Sequence, residues 1–352
     1  MFIGGLGTAA PEQTYTQREC WQALEASTRL GTLSSRSQAI LRKVLTGRNG
    51  IRTRHLALDH LEDAFQLTPD ALQQRFIQHA PRLASEAGRR ALMDGNYQPE
   101  SIDAVLVSTC TGYLCPGLTS YIIERLGLHP QVLALDLVGQ GCGAALPNLR
   151  AAESLIAAGR CERVLCICVE VCSAAFYLDD DPGVLISACL FGDGAGAAVV
   201  TNSAPGKRRI QWRGSHSLHQ PQARDKLRFE QRGGMLRNLL SPEVPQLAAE
   251  YSQRVLAQGL ETSGLSQQSV TGWLFHPGGR DVLAALRERL GLAEEDLRWS
   301  SAVLEKYGNL SSSSVFFVLQ EALSDSARPG WWWMGSFGAG FTAHGAWWEV
   351  GG

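Results

Sequence analysis

The hydrophobic positions of this chain follow two periods that alternate along the sequence. Apolar residues recur about every 3.6 positions over 84–95 (ASEAGRRALMDG), and a strand-like apolar run follows at 102–108 (IDAVLVS). The same order recurs later, with an amphipathic helix at 251–262 and a strand at 270–275. Because helices that alternate with buried strands are typical of α/β layers, the pattern predicts an α/β fold with a mainly parallel sheet.

The two halves of the chain repeat this order of elements, which indicates an internal duplication. In each half the next predicted strand runs into a glycine turn, at Gly141-Cys142-Gly143 and at Gly308-Asn309-Leu310. The same spacing along the chain separates Cys142 from Asn309 and Thr109 from His276. A repeat of this kind places equivalent residues at equivalent positions of two similar folding units.

Glycine-rich, hairpin-like runs begin at Phe191 and Phe337 and close the two halves. We therefore predict a five-layered αβαβα pseudo-duplicated fold built from halves at 1–205 and 206–352, joined in a turn-rich stretch. Residues 206–250 fit the repeat poorly and are rich in irregular polar sequence, which predicts an insertion near the entrance of the site.

Length and charge narrow the classes of protein. The 352 residues are 45% hydrophobic and 19% charged, which excludes a disordered chain. The net charge of -2 gives no support to a nucleic-acid binder. No apolar run reaches the roughly 18 residues of a membrane-spanning helix. Since the N-terminus also lacks the order of a signal peptide, we expect a cytoplasmic protein.

Nine cysteines are distributed along the chain, several of them inside apolar strand-like runs. Because their number is odd and the chain is long, we expect free thiols rather than a disulfide framework. The pair Cys166 and Cys168 lacks the histidine or second cysteine pair of a zinc site. The acidic run at 179–181 directly precedes Pro182, which is typical of a solvated turn rather than of a metal site. We therefore predict no metal site.

Cys142 is the strongest candidate for a nucleophile. A predicted strand at 132–138 runs into the glycines on either side of Cys142, and a predicted helix follows at 145–158. A helix N-terminus presents unpaired N–H groups and a positive potential, which lower the pKa of a thiol. The alternative is a small buried residue in a glycine turn, which is our interpretation of most of the other cysteines.

His276 and Asn309 complete a candidate set. His276 follows the predicted strand 270–275, and strand ends are where α/β folds build their sites. Asn309 precedes an apolar helix at 315–323, and taken alone it is a helix cap, just as an isolated histidine is usually structural. The register of the repeat favours a shared site, because pseudo-twofold symmetry brings Cys142 and Asn309 together.

A Cys/His/Asn set suits acyl transfer, in which a thiolate attacks a thioester and two donors hold the developing oxyanion. Cysteine proteases use the same residue types, but their local signature around the cysteine is absent here.

Several spaced motifs resemble those of the type III polyketide synthases, the chalcone and stilbene synthase-like family of the thiolase superfamily. In chain order the motifs are GQGCGA around Cys142, LFGDG around Phe191, HPGG at His276, KYGNLSSSS at Asn309 and FGAG at Phe337. The resemblance covers nearly the whole chain and implies a thiolase-like fold.

The resemblance implies a homodimeric acyltransferase that takes an acyl-CoA starter and malonyl-CoA directly, without a cofactor or a carrier protein. Cys142 would carry the starter and the growing chain. His276 and Asn309 would stabilise the enolate formed on decarboxylation, and His276 would hold Cys142 as a thiolate through an ion pair. The other residues implied are Phe191 as a gatekeeper, Phe337 and Ser311 at the cavity, and Lys43, Arg48, Gly278 and Gly279 at the CoA.

Several positions depart from the plant members, which suggests a bacterial enzyme with its own starter. Cys110, Cys172 and Ala175 stand where the plant enzymes have threonine, Cys115 replaces a methionine at the dimer interface, and Arg237 falls at a second gatekeeper phenylalanine. An open, apolar wall suits a fatty acyl starter, since each buried methylene contributes about 0.8 kcal/mol. We expect several extensions and cyclisation to a pyrone or a resorcinol-type product.

Two alternatives stay open. A single-condensation ketoacyl synthase of the fatty-acid type shares Cys/His/Asn, and only the LFGDG motif and the long insertion argue against it. A non-catalytic scaffold with the same fold is disfavoured because Cys142, His276 and Asn309 are all present.

Overall fold

The structure is a computed structural model that describes residues 1–204, 206, 209–325 and 327–351. Within these residues the strands are β1 (Phe2–Ala9), β2 (Thr14–Thr16), β3 (Thr53–His55), β4 (Ala104–Thr109), β5 (Leu133–Val138), β6 (Arg163–Glu170), β7 (Gly194–Thr201), β8 (Ile210–His219), β9 (Leu227–Arg232), β10 (Met235–Leu240), β11 (Val270–Phe275), β12 (Gly330–Gly338) and β13 (Thr342–Val350). The α-helices are α1 (Gln17–Ala26), α2 (Ser35–Thr46), α3 (Pro69–Gly95), α4 (Leu118–Leu126), α5 (Ala145–Ala157), α6 (Pro182–Leu190), α7 (Val244–Ser263), α8 (Arg280–Leu290), α9 (Arg298–Tyr307) and α10 (Ser314–Ser324).

Nine strands form one mixed sheet in the order β11-β12-β13-β8-β1-β7-β6-β4-β5. The prediction of a mainly parallel sheet is wrong, since within the described residues only β4–β5, β4–β6 and β11–β12 pair in parallel. The last strand of each half, β7 or β13, returns antiparallel to its neighbours. A short connection between β12 and β13 can only produce an antiparallel hairpin, because a parallel pair needs a long crossover.

Alternate residues along each strand point to opposite faces and so separate the layers. On β6, Cys166 packs into a core shared with α5 and α10, whereas Ile167 packs into a second core with α3 and α4. On β12, Trp332 joins the core of α5 and α10, and Trp333 joins a third core with α7 and α8. The layers therefore follow the predicted αβαβα order, with α5 and α10 in the centre.

The segment 206–250, expected as an insertion, has two different parts. Strand β8 pairs with β13 and β1 and belongs to the main sheet, so the expectation is wrong for this part. Strands β9 and β10 form a separate two-stranded sheet. The division at 205–206 stays a prediction, and Pro205 lies outside the described residues.

Two predicted elements differ from the structure: the run from Phe191 forms the single strand β7 rather than a hairpin, and the segment before Gly308 is not a strand. Each of the other predicted segments overlaps with an observed element of the same type: 84–95 with α3, 102–108 with β4, 132–138 with β5, 145–158 with α5, 251–262 with α7, 270–275 with β11 and 315–323 with α10. The expected strand before Gly308 is instead the helix α9. Trp299, Val303 and Leu304 recur at helical spacing and are buried, so this segment forms an amphipathic helix where the first half has the edge strand β5.

Tryptophan rings fill the core between the second half of the sheet and α7. The rings of Trp333 and Trp347 pack at 64° with their centroids 4.7 Å apart. A β-carbon on Gly345 would lie 2.0 Å from the Trp333 ring, so only glycine fits at this position of β13.

We predict that Gly345→Ala lowers the free energy of unfolding by at least about 1–3 kcal/mol, because the added methyl group overpacks the Trp333 contact. Thermal or urea unfolding measures the effect. The matched control is Gly31→Ala, where a β-carbon meets no atom within 4 Å. Equal stability of the two variants would contradict this account of the packing.

Candidate active site

Cys142 lies in a 3-10 turn at Gly141–Gly143 that connects β5 to α5. Gly141 has a φ of 56°, a left-handed conformation that favours glycine. The backbone of Gly338 packs so closely that a β-carbon there would lie 2.5 Å from the amide nitrogen of Gly143. The chain therefore turns sharply from strand to helix with Cys142 at the turn, and Ser311 Oγ donates a hydrogen bond of 3.3 Å to its Sγ.

A first cavity of about 1130 Å³ is lined by residues of both halves. Cys142, His276 and Asn309 all border it, so the structure brings the three predicted catalytic residues together from distant parts of the chain. The other predicted residues on its wall are Lys43, Arg48, Phe191, Gly278, Gly279 and Phe337.

Asn309 is fixed by four hydrogen bonds. Its amide N–H donates to the Leu190 carbonyl at 2.9 Å, and its carbonyl accepts from the Gly192 N–H at 3.0 Å. Its side-chain Nδ2 donates to the Gly278 carbonyl at 3.1 Å, and its Oδ1 accepts from the Ser311 N–H at 2.8 Å. Asn309 therefore connects the residues on either side of Phe191 to the turn that follows His276.

His276 is buried directly after β11. Its ring packs edge-to-face on Phe337, with the ring centroids 5.1 Å apart. Its Nδ1 has no hydrogen-bond partner among the described residues. Burial lowers the pKa of this imidazole to about 3, so His276 is neutral near neutral pH.

The thiol of Cys142 is also neutral in this arrangement. The side chain is partly exposed to the cavity, yet burial raises the pKa of this thiol to about 12. The Ser311 hydrogen bond lowers the pKa, and the Glu170 charge raises it further. The expected low thiol pKa is therefore wrong here, whereas the ion pair with His276 stays a prediction. No hydrogen bond joins Cys142 to His276 in the described part of the chain, and desolvation outweighs the helix start.

Burial disfavours an isolated charge on each of these two groups. A lone thiolate or a lone imidazolium is unfavourable in a buried site, but each charge stabilises the other. We therefore predict that Cys142 becomes nucleophilic when its proton moves to His276, rather than by losing the proton to solvent.

Glu170 is a buried carboxylate beside Cys142 that no sequence motif singled out. It accepts hydrogen bonds from Thr111 Oγ1 at 2.9 Å, from the Cys110 N–H at 3.1 Å, from Ser311 Oγ at 3.3 Å and from Ser312 Oγ. Burial raises its pKa. The available signal was a single charged residue at the end of the apolar strand β6, where parallel strands build sites.

A second cavity of about 640 Å³ lies on the other side of Gly141. Cys110 borders it, and the Cys110 Sγ lies 3.4 Å from Ser311 Oγ, which also contacts Cys142. Much of its wall is apolar: Leu72, Phe76, Ala174, Phe229, Met235 and Leu236. Among the described residues on this wall, Arg228 is the one charged side chain, and it borders the first cavity as well.

Five predicted residues lie outside both cavities. Ser311 is buried and contacts Cys142, although it was predicted at the cavity wall. Cys172 and Ala175 are buried in the 3-10 turn Cys172–Ala175, of which only Ala174 borders the second cavity. Cys115 is exposed on the surface. Arg237 is buried and pairs with carboxylates. A buried charged side chain needs such partners, whereas the apolar side chain of a gatekeeper would not.

Besides Arg228, two cationic residues that the motifs did not indicate border the first cavity. Arg36 and Arg280 join the predicted Lys43 and Arg48, and Arg280 donates a hydrogen bond to the Arg48 carbonyl. The four cations are a suitable environment for the phosphates of a CoA thioester.

None of the helices in the described residues combines the length and the apolarity that crossing a bilayer requires. No group of three or more His, Cys, Asp or Glu side chains among these residues is placed to hold a metal ion.

The layered fold and the shared Cys/His/Asn cavity define a condensing enzyme of the thiolase-fold class. Residues 12–233 match the family described as FAE1/Type III polyketide synthase-like protein, and residues 218–345 match the C-terminal domain of chalcone and stilbene synthases. The chain belongs to the type III polyketide synthase family and is an acyltransferase.

Individual relatives agree with this membership. A 3,5-dihydroxyphenylacetyl-CoA synthase from Streptomyces toyocaensis is 28% identical over 340 residues, which cover 93% of this chain and 84% of that protein. PKS-I from the brown alga Ectocarpus siliculosus has a TM-score of 0.90 at 26% identity, covering 99% and 97% of the two chains. The 1,3,6,8-tetrahydroxynaphthalene synthase of Streptomyces coelicolor shares the fold, with a TM-score of 0.87 at 22% identity and 99% coverage of both chains.

We predict that His276→Ala slows alkylation of Cys142 by iodoacetamide at neutral pH by about tenfold or more, because removing the proton acceptor leaves a thiolate without its countercharge. Peptide mapping by mass spectrometry gives the rate at this one cysteine. The control is His216→Ala, since His216 borders neither cavity. An unchanged rate in His276→Ala would show that Cys142 ionises independently of His276.

Proposed function

We propose that this enzyme loads an aliphatic acyl-CoA starter onto Cys142, extends it with several malonyl-CoA units and cyclises the chain to a pyrone or a resorcinol-type product. The observation that carries the proposal is the convergence of Cys142, His276 and Asn309 on one cavity, next to a second cavity with a partly apolar wall.

Loading is a transfer between thioesters. The Cys142 sulfur attacks the carbonyl of the acyl-CoA, the bond between that carbonyl and the CoA sulfur breaks, and the CoA thiolate leaves with the proton that His276 accepted. The negative charge on the carbonyl oxygen is stabilised by side-chain N–H donors at the site.

Extension begins when malonyl-CoA loses carbon dioxide. The electrons of the broken carbon–carbon bond form an enolate, whose oxygen accepts hydrogen bonds from His276 and from Asn309 Nδ2. The enolate carbon then attacks the acyl group on Cys142 and displaces the thiolate. The thioester activates its own carbonyl and decarboxylation supplies the carbanion, so we propose that the CoA thioesters react without a further cofactor.

CoA would lie along the first cavity, with its phosphates near Lys43 and Arg48 and its thioester near Gly278 and Gly279. The growing acyl chain would extend past Phe191 and Phe337 toward the second cavity.

All nine cysteines lie in the described residues and are unpaired, which supports a location in the reducing cytoplasm.

We propose that the enzyme acts as a homodimer assembled at the edge strand β5. This strand leaves Leu133, Leu135 and Val138 exposed, and the neighbouring Tyr113 is 70% exposed. An apolar sheet edge of this kind is a template for pairing with another strand. Tyr113 and Val138 also border the second cavity, so a partner at this edge, near Cys115, would help to enclose it.

We predict that Cys142→Ala abolishes polyketide formation but keeps malonyl-CoA decarboxylation, since the two donors do not depend on the thiol. His276→Ala and Asn309→Ala should each lose on the order of 10² to 10³ in decarboxylation rate. Carbon dioxide release and product mass spectrometry give the two readouts, with Cys161→Ala as the control. Full-length product from Cys142→Ala, or only once-extended product from the wild type, would contradict the proposal.

We predict that filling the second cavity at Ala174 discriminates against long starters. Ala174→Val and Ala174→Phe should lower kcat/KM for octanoyl-CoA more than for acetyl-CoA, by about fourfold for each methylene excluded, which corresponds to about 0.8 kcal/mol. The graded pair separates exclusion from misfolding, which thermal unfolding also reports. Equal losses for both starters would remove the support for an aliphatic chain in this cavity.

A further inference from the structure

The hairpin of β9 and β10 forms a wall that the two cavities share. Leu227 and Leu239 border the first cavity, Met235 and Leu236 border the second, and Arg228 borders both. These two strands pair only with each other within the described residues and not with the nine-stranded sheet. The position of the wall therefore depends on contacts with neighbouring elements rather than on the ladder of the main sheet.

Arg237, on β10, makes buried charged contacts with β9 and with the segment before α6. Its buried guanidinium pairs with Asp179 at 2.7 Å, with Asp181 at 3.3 Å and with Glu230 at 2.9 Å. The two aspartates precede α6, whereas Glu230 lies on β9. A guanidinium presents five N–H donors in a planar fork, so one side chain can bind carboxylates on three sides and connect both strands of the hairpin to the start of α6.

The same contacts extend to residues on the cavity walls. Asp181 caps α6 by accepting a hydrogen bond from the Gly183 N–H at 2.8 Å, and α6 ends directly before Phe191 in the first cavity. Glu230 also pairs with Arg228 at 3.1 Å. Arg237 thereby connects the segment that carries Phe191 to the residue that borders both cavities.

We propose that Arg237 is a positioning residue that sets how many malonyl units are added, by holding the hairpin wall against α6. This rests on the proposed function, because each extension lengthens the chain by two carbons inside the cavities that the wall bounds. A fixed wall stops growth at a set length, whereas a displaced wall does not. Without the guanidinium, Glu230 on the hairpin and the two aspartates before α6 would lose the cation that they share, and their repulsion would move the hairpin away from α6.

The test is Arg237→Gln, which removes the charge and keeps much of the side-chain length. Products from one acyl-CoA starter are resolved by chain length with mass spectrometry, and malonyl-CoA decarboxylation is measured on the same sample. Decarboxylation should stay near the wild-type rate, because Cys142, His276 and Asn309 are unchanged. The main wild-type product should fall by about fivefold or more as a share of all products, and products of other chain lengths should replace it. An effect of this size is expected when one member of an ion-pair network is removed.

Three further variants separate this role from a general loss of structure. Arg232→Gln, on the same hairpin, removes an exposed arginine whose ion pair with Asp179 is 3.8 Å long, and it should keep the wild-type product distribution. Arg237→Lys should restore part of the distribution. Asp179→Asn in the Arg237→Gln background should also restore part of it, because it relieves the repulsion.

A folded Arg237→Gln variant with the wild-type distribution would overturn the proposal, as would an equal change in Arg232→Gln. If Arg237→Gln does not fold, Asp179→Asn weakens the contact between Arg237 and the segment before α6, and a change in chain length is expected of it as well. A wild-type enzyme that makes no polyketide would instead overturn the proposed function itself.

Discussion

The packing of α5 and α10 between the two halves of the sheet is the contact on which the site depends. Leu146 and Leu149 of α5 share one core with Phe316 and Val318 of α10 and with strands of both halves. This layer places the turns before the two helices side by side, and the result is the Ser311–Cys142 hydrogen bond. Neither half has a complete site, because the thiol comes from the first and the imidazole and amide come from the second.

The same close packing determines how the site can ionise. Protein atoms surround Cys142, His276 and Glu170, and burial disfavours the charged form of each group. Charge can therefore develop only where a partner or a hydrogen-bond donor receives it. A condensation reaction has this requirement at every step, since thiolate, oxyanion and enolate each form briefly inside the cavity.

The layer order and the convergence of Cys142, His276 and Asn309 on one cavity could be predicted because they depend on local pattern and on the register of the repeat. Strand direction could not, since the apolar run of β7 reads the same whichever way it pairs. The helix α9 was missed because symmetry suggested a strand, while its own helical spacing of Trp299 and Val303 decided the outcome. The partners of Arg237 and the face of Ala174 depend on contacts between segments far apart in sequence, which no local motif records.

The most direct test of the central claim, that Cys142 carries the acyl chain, is the mass of the intact protein after incubation with octanoyl-CoA alone. The account predicts a single added octanoyl group, located on the peptide that contains Cys142 and absent from the Cys142→Ala variant. An unmodified protein, or an octanoyl group found on Cys110 or on another cysteine, would contradict it.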